Sequence, residues 1–215
     1  KPNDWIQIKD GLINNWKINF HGIKANKDSG LNFHQRLNEY GQTGCLNIYK
    51  TNLKNVMLSA QNGECEDSIN IVNSSGNISS IEVKDSFQDG IDLDFSNLDI
   101  KEVNVENSGN DCLDVSFGNY NIYSTDLYVC KDKGISIGEK SNVNLNNNKI
   151  KLSQIGISVK DSSILNLEKV SFSNVDKCIL AFNKKQEFMG SKTSYKELIC
   201  NGIIEKDKNS LIKKY

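Results

Sequence analysis

QDGIDLDFS at residues 88–96, NDCLDVSFG at 110–118 and DKGISIGEK at 132–140 repeat one pattern, each starting 22 residues after the last. The pattern extends both ways. EDSINIVNS begins at Glu66, QIGISVKDS at Gln154 and DKCILAFNK at Asp176 in the same spacing, and TGCLNIYKT begins 23 residues before Glu66, at Thr43. In every copy the fourth residue is apolar, giving Leu46, Ile69, Ile91, Leu113, Ile135, Ile157 and Ile179. Two residues on stand Ile48, Ile71, Leu93, Val115, Ile137, Val159 and Ala181. Polar residues alternate with these, which is the two-residue period of a strand with one buried face. A second alternating segment recurs between copies, as ISSIEVKD, IKEVNVEN, YNIYSTDLYV, NVNLNNNKI and ILNLEKVSF, and no copy leaves room for a crossover helix.

A unit of this length cannot bury its apolar face alone and must stack on the next copy. The sequence therefore predicts an all-β parallel β-helix, a solenoid with about 22 residues per coil in which each coil rises about 4.8 Å and equivalent positions form ladders. The L-x-x-L-x-L-x-x-N frame of leucine-rich repeats is absent, and an antiparallel sandwich would not hold one register through six copies. The residue before the first apolar column is small throughout, as Cys45, Ser68, Gly90, Cys112, Gly134, Gly156 and Cys178. Nothing larger than Cys is expected to fit there, glycine serving either a positive φ or a close backbone approach.

The whole is read as one domain: opening coils or cap at 1–40, regular coils at 41–190, and a last coil or cap at 191–215. In the opening region WIQIKDGLINNWKINFHGI alternates, and Trp5, Trp16 and Phe20 are expected to plug the end of the core. The Lys-rich LIKKY at the other end would protect an exposed strand edge. Thirty Asn suit turns that recur, because Asn tolerates left-handed backbone and bonds its own main chain. His21 and His34 have no neighbouring Cys or Glu at metal-ligand spacing and read as ordinary surface or packed histidines.

The 26 basic and 27 acidic residues leave a formal charge of -1, so no excess of positive charge is present to hold nucleic-acid phosphates. No apolar run is long enough for a membrane span. The chain opens KPNDW without Met or an apolar signal core, and is expected to be processed or excised from a longer chain with flanking domains. Six cysteines fall into sequential pairs, Cys45 with Cys65, Cys112 with Cys130 and Cys178 with Cys200, each separated by close to one coil. A partner one turn along lies within disulfide reach. Three disulfides, each worth about 3 kcal/mol in the chain-entropy picture, point to a periplasmic, secreted or cell-surface location.

Function on such a fold must sit on an outward ladder, because the inside is filled. The residue two before the first apolar column is Asp67, Asp89, Asp111, Lys133, Ile155 and Lys177 in successive coils. Between the two apolar columns run Asn70, Asp92, Asp114, Ser136, Ser158 and Leu180, and after them Val72, Asp94, Ser116, Gly138, Lys160 and Phe182. Acids thus concentrate in two adjacent coils, with Lys133, Glu139, Lys160 and Asp161 on the coils that follow. Two carboxylates one rung apart repel by about 3 kcal/mol at an effective dielectric of 20, so Asp89 over Asp111 and Asp92 over Asp114 call for a proton, a cation or an ammonium. Ca²⁺ is the candidate cation, with Asp92, Asp111 and Asp114 as its candidate ligands.

Residues 88–160 resemble the polygalacturonases, a family of right-handed parallel β-helix proteins of the pectin lyase-like superfamily. QDGIDLD is similar to that family's N-T-D-G-I-D, GNDCLDVS to its G-D-D-C, DKGISIG to its G-H-G-L-S-I-G and SVK at 158–160 to its R-I-K. The resemblance implies a polysaccharide substrate and an inverting hydrolysis in which one carboxylic acid protonates the leaving oxygen while others activate water. It assigns Asp89 to water activation and Asp111 to the second Asp of the pair. Asn110 stands in the place of the general acid, Lys133 in that of the His and Ser158 in that of the Arg, while Lys160 is matched. An amide cannot donate the proton. The resemblance also pairs Cys112 with Cys130. DKGISIGEKS, SVKDSS and NKKQEF are similar to a group of bacterial extracytoplasmic β-helix proteins without an assigned reaction, which implies the fold alone.

Three functions are compatible with these residues. The first is a uronan-type lyase or epimerase, with Lys133 or Lys160 abstracting the proton beside the sugar carboxylate and a cation on the acidic ladder neutralising that carboxylate. The second is a non-catalytic carbohydrate-binding or structural surface module, and the third a degenerate polygalacturonase-like glycosidase. In the enzyme readings Asp89, Asp111, Lys133 and Lys160 are the candidate catalytic residues, and Asp92, Asp94, Asn110, Asp114, Glu139 and Asp161 are the candidate binding residues. Ice binding calls for flat Thr ladders, and only four Thr occur.

Overall fold

Ile91 pairs with Ile69 on one side and with Leu113 on the other, Leu113 pairs in turn with Ile135, and Ile135 with Ile157, always in parallel. The two apolar columns read from the sequence are therefore physical ladders, and all fourteen side chains are buried. The computed structural model describes residues 4–23 and 36–215, and in it the chain winds as a parallel β-solenoid of about eight turns, with no helix among the described residues. His34 lies outside the described residues, and His21 is exposed.

Each coil contributes to three walls. The first runs from Ile6–Lys9 through Gly44–Tyr49, Asp67–Val72, Asp89–Asp94 and Leu113–Ser116, then through 133–138, 155–160 and 177–182 to Ile203–Lys206. The second includes Leu12–Asn14, Asn97–Ile100, 119–122, 142–145, 164–167 and Leu211–Lys214. The third includes Lys17–His21, Val103–Ser108, 125–130, 148–153 and 170–175. Burying Ile, Leu and Val from all three walls, at about 1.5–3 kcal/mol per side chain, makes the continuous core.

Two corners of each coil are made by residues in the left-handed region, a single residue at most of them and a pair at Glu139–Lys140 and Asp161–Ser162. Lys50, Asn73, Phe95, Phe117 and Lys140 turn the chain from the first wall to the second, and Asn62, Asp85, Asn107, Val129, Leu152 and Asn174 turn it from the third toward the next coil. Asn accepts this conformation at little cost, which is one reason the chain is rich in it.

At the first corner the residue after the left-handed one is a buried hydroxyl: Thr51, Ser74, Ser96, Ser141, Ser163 and, farther on, Ser191 and Ser210. The N–H of Thr51 donates to Ser74 Oγ (3.1 Å), that of Ser74 to Ser96 Oγ (3.0 Å) and that of Ser191 to Ser210 Oγ (3.0 Å), so these accepting hydroxyls cap main-chain donors of the coil before. Gly118 breaks this ladder, and the Tyr120 hydroxyl fills the gap. It accepts from the Ser96 N–H at 3.3 Å and donates to Leu93 O at 2.9 Å. Tyr120→Phe leaves that buried N–H without a partner, so a loss of about 1–3 kcal/mol is expected, seen as a drop of several degrees in the melting temperature. An unchanged melting temperature would show that the hydroxyl caps nothing.

All three cysteine pairs are bonded and no cysteine is free. Each bond crosses the gap between the third wall and the start of the first. In the coil after Cys45–Cys65 the same gap is bridged by Ser68 donating to Ser86 Oγ at 3.0 Å. The glycines of the small column are explained by approach alone, since none of them has a positive φ. A Cβ on Gly134 would lie 2.5 Å from Ile150 Cγ2, and one on Gly156 2.3 Å from Phe172 Cε1, both side chains of the third wall.

The opening region differs from expectation. Phe20 is buried and closes the core, whereas Trp16 is 55% exposed and Trp5 packs edge-on against Tyr40 at 5.4 Å. Asn15, at φ 58°, turns the chain just before Trp16, which falls outside the strand Lys17–His21 and its alternation. At the other end Leu211–Lys214 is an edge strand bearing Lys213 and Lys214, as LIKKY suggested.

Candidate functional site

The first wall carries the acidic ladders outward. Asn70, Asp92, Asp114, Ser136 and Ser158 are successive rungs of one column, and Val72, Asp94 and Ser116 of the next. Asp67 pairs with Asp89, and the column continues through side-chain bonds. The N–H of Asp111 donates to Asp89 Oδ1 (2.8 Å), and the N–H of Lys133 to Asp111 Oδ1 (3.0 Å). Asp89 and Asp111 thus serve as main-chain acceptors where the strand ladder is interrupted. Asn110 supports the first of them, its Nδ2 donating to Asp89 Oδ1 at 2.7 Å.

Burial pushes these carboxyls up. Asp89 and Asp94 titrate near 6 and Asp111 near 7, the last despite Lys133 pulling it down. Asp67 and Asp92 stand well above the ordinary carboxylate range, both by burial first; a hydrogen bond from Thr43 pulls Asp67 down while neighbouring acids raise it, Asp92 is raised further by the charges of Asp67 and Asp94, and Asp114 is raised by burial against the pull of Lys160. The wall therefore holds protons near neutral pH, which is one of the three remedies the rung repulsion called for.

The two lysines supply a second. Lys133 Nζ lies 3.2 Å from Asp111 Oδ1 and also pairs with Asp132. Burial lowers its pKa, but the hydrogen bond and charge of Asp132, together with the charge of Asp111, outweigh that and leave it raised. Lys160 is 8% exposed, lies flat over Gly138, and donates from Nζ to Ser136 Oγ at 2.8 Å. The Ser136 hydroxyl bonds Asp114, so ammonium, hydroxyl and carboxylate form one chain.

Several candidates prove to be inside. Asp111 is 3% exposed, beneath the Lys133 side chain. Glu139 is buried between Ser116 Oγ (2.6 Å) and Lys185 Nζ (2.5 Å), and these partners outweigh burial to hold its pKa low. Asp161 is buried and anchors a strap at residues 183–190, its Oδ1 accepting from the N–H groups of Lys184 (2.7 Å) and Lys185 (2.8 Å). The outward-facing candidates are the half-buried Asp89, Asp92, Asp94, Asn110, Asp114 and Lys133. Among the described residues no three His, Cys, Asp or Glu side chains converge in a geometry that could hold a metal ion. The donor set of Asp92, Asp111 and Asp114 does not fit Ca²⁺ as arranged, and no step is derived through it.

The wall ends at an aromatic stack that the sequence reading did not single out. Phe95 and Phe117 occupy adjacent corners with ring centroids 4.7 Å apart and planes at 6°, and Phe188 of the strap meets Phe117 edge-on at 6.2 Å. Phe95 is 55% exposed, and the corner on its other side carries only Asn73. The 22-residue spacing of Phe95 and Phe117 was legible as a column, whereas Phe188 falls in an insertion with no counterpart in the other coils.

Comparison with known protein families, curated proteins and solved structures finds no match to this chain.

Proposed function

We propose that the chain is a non-catalytic carbohydrate-binding surface of an extracytoplasmic protein, periplasmic, secreted or exposed on the cell. Its three disulfides belong to an oxidising environment. The observation that carries the reading is the open face of Phe95 beside the half-buried carboxyls of Asp92 and Asp94. A sugar ring needs an apolar plate for its C–H face and acceptors for its hydroxyls, and this corner supplies both. The local polygalacturonase-like segments support the same ligand class.

Charge narrows it. Above about pH 7, where Asp89, Asp94 and Asp111 are ionised, the acidic wall repels a uronate chain, at about 4 kcal/mol for unit charges 4 Å apart at an effective dielectric of 20, whereas neutral or amine-bearing glycans meet no such cost. Lyase or epimerase chemistry also lacks a ready base, because acids hold the Lys133 ammonium charged and Lys160 is buried against Ser136. One observation favours a second reading, a degenerate glycosidase: Asp89, half-buried and titrating near 6, sits beside Asp111 near 7, a pair able to hold one proton at neutral pH.

Titration calorimetry with neutral β-glucan, chitosan and polygalacturonate oligosaccharides tests both. Binding of the first or second, weakened at least tenfold by Phe95→Ala with the fold intact, is the expected result. Binding of none of them, or binding indifferent to Phe95, would refute the proposal. New reducing ends that disappear in Asp89→Asn would establish the glycosidase instead.

A further inference from the structure

The second wall carries a different surface. Asn121 Nδ2 donates to Asp99 Oδ1 (2.6 Å), Asn144 Nδ2 to Asn121 Oδ1 (2.7 Å) and Asn166 Nδ2 to Asn144 Oδ1 (2.9 Å), and Ser194 Oγ donates to Asn166 Oδ1 at 2.8 Å. Two residues away a parallel column repeats the arrangement, with Asn119 Nδ2 donating to Asn97 Oδ1 (2.6 Å) and Asn142 Nδ2 to Asn119 Oδ1 (3.4 Å). These side chains are exposed or half-buried, and all point off the strands that form the wall.

Each amide has two N–H donors and two acceptor lone pairs. The rung-to-rung bond uses one of each, leaving one donor and one acceptor per Asn directed away from the ladder. Because every bond runs in the same sense, the spare groups repeat at the rung spacing of about 4.8 Å. The bonds also hold the side chains in one rotamer before any ligand arrives, so little ordering entropy remains to be lost on binding. The middle of the wall is nearly uncharged: from Asn97 to Asn166 the outward positions Asn97, Asp99, Asn119, Asn121, Asn142, Asn144, Ile164 and Asn166 include one acid, whereas Lys54, Lys192 and Lys213 lie on the same columns toward the two ends.

We infer that this amide wall is a docking surface for an uncharged, hydroxyl-bearing polymer, a β-linked glucan or N-acetylhexosamine chain, separate from the acidic wall. Lack of charge excludes selection for nucleic acid, uronate or a basic peptide. A flat row of alternating donors and acceptors matches a polymer whose hydroxyls also repeat along its length. With the acidic and aromatic wall on another side of the same solenoid, the chain could then hold two glycan strands at once.

The test is retention of the full chain on phosphoric-acid-swollen cellulose and on chitin, with every variant below also made in a Phe95→Ala background so that binding at the aromatic corner is removed and only the amide wall is read. Wild type is expected to be retained on at least one of them. Asn121→Lys with Asn144→Lys, which inserts charge and cuts both rung bonds, is expected to lose at least tenfold in affinity. Asn121→Ser with Asn144→Ser, a gentler removal of the amides, is expected to lose less with an unchanged melting temperature. Ser171→Lys with Ser173→Lys adds the same charge on the third wall and is expected to bind as wild type. Failure of wild type to bind either polymer overturns the inference, as does full retention of both Asn121 and Asn144 double variants. Loss of binding in the Ser171 and Ser173 variant would overturn it as well, by showing that added charge anywhere suffices.

Discussion

Lys160→Met is expected to destabilise the protein by about 1–3 kcal/mol, the usual cost of removing a buried charged donor from its hydrogen-bond partner. Lys160 is 8% exposed, its ammonium donates to Ser136 and pulls down the pKa of Asp114, and it also lowers the pKa of Glu139. Methionine fills the space of the side chain over Gly138 but supplies no charge. Asp114 would then face Asp92 on the neighbouring rung with only the weaker pull of Lys133 opposing it, and Ser136 Oγ would lose its donor. Glu139 keeps Lys185, so the damage should centre on Asp114. Denaturant unfolding checks this, and adding Asp114→Asn to Lys160→Met should recover part of the loss by removing the stranded charge. A cost below about 1 kcal/mol, the range of exposed pairs, would show that the ammonium is not the counter-charge of the wall.

The second large effect is an inverted dependence of stability on pH. For most proteins carboxylates are lowered by folding, and stability is lost toward acid. Here Asp89 and Asp94 are raised to about 6 and Asp111 to about 7, from an ordinary 3.8, while Asp67, Asp92 and Asp114 are raised as well. The folded state therefore binds more protons than the unfolded state between about pH 4 and 7. In that window stability falls as pH rises, and the contribution present below the unfolded pKa is gone above the folded one. Each tenfold difference in proton affinity between the folded and unfolded chain is worth about 1.4 kcal/mol. With solvent screening of the half-buried members, a combined loss of about 3 kcal/mol is expected, a melting temperature lower by about 10 °C at pH 8 than at pH 5. Glu139 is lowered and works in the opposite sense, so stability should decline again below about pH 4. Thermal melts from pH 3.5 to 8.5 measure the curve, and Asp92→Asn with Asp94→Asn should flatten it. A melting temperature that rises or stays level from pH 5 to 8 would contradict the proton-holding wall.

Much of the fold was legible because the repeat does its work locally. Ile91, Leu113 and Ile135 had to coincide once each coil proved unable to bury its own face, and the three cysteine pairs followed from the length of a turn. The hydroxyl ladder at Thr51, Ser74, Ser96 and Ser141 carried the same 22- and 23-residue signal. Its interruption at Gly118 was not legible, since the compensating hydroxyl arrives from Tyr120, inside the next strand. The aromatic stack was half legible, as Phe95 and Phe117 share a column and Phe188 does not.

Sequence by itself determined the rung spacing, the inward columns, the disulfide partners and the concentration of acids on the first wall, because each depends only on which residues recur one turn apart. Tertiary structure alone decided which of those outward residues remain open. Ser141 and Ser163 are 22 residues apart, but Ser163 and Ser191 are 28, and the added residues fold back as a strap that pairs Lys185 with Glu139 and closes on Asp161. Lys133 covers Asp111 in the same way. A ladder position fixes the direction in which a side chain leaves the wall, whereas its exposure depends on what another coil lays across it, and no column records that.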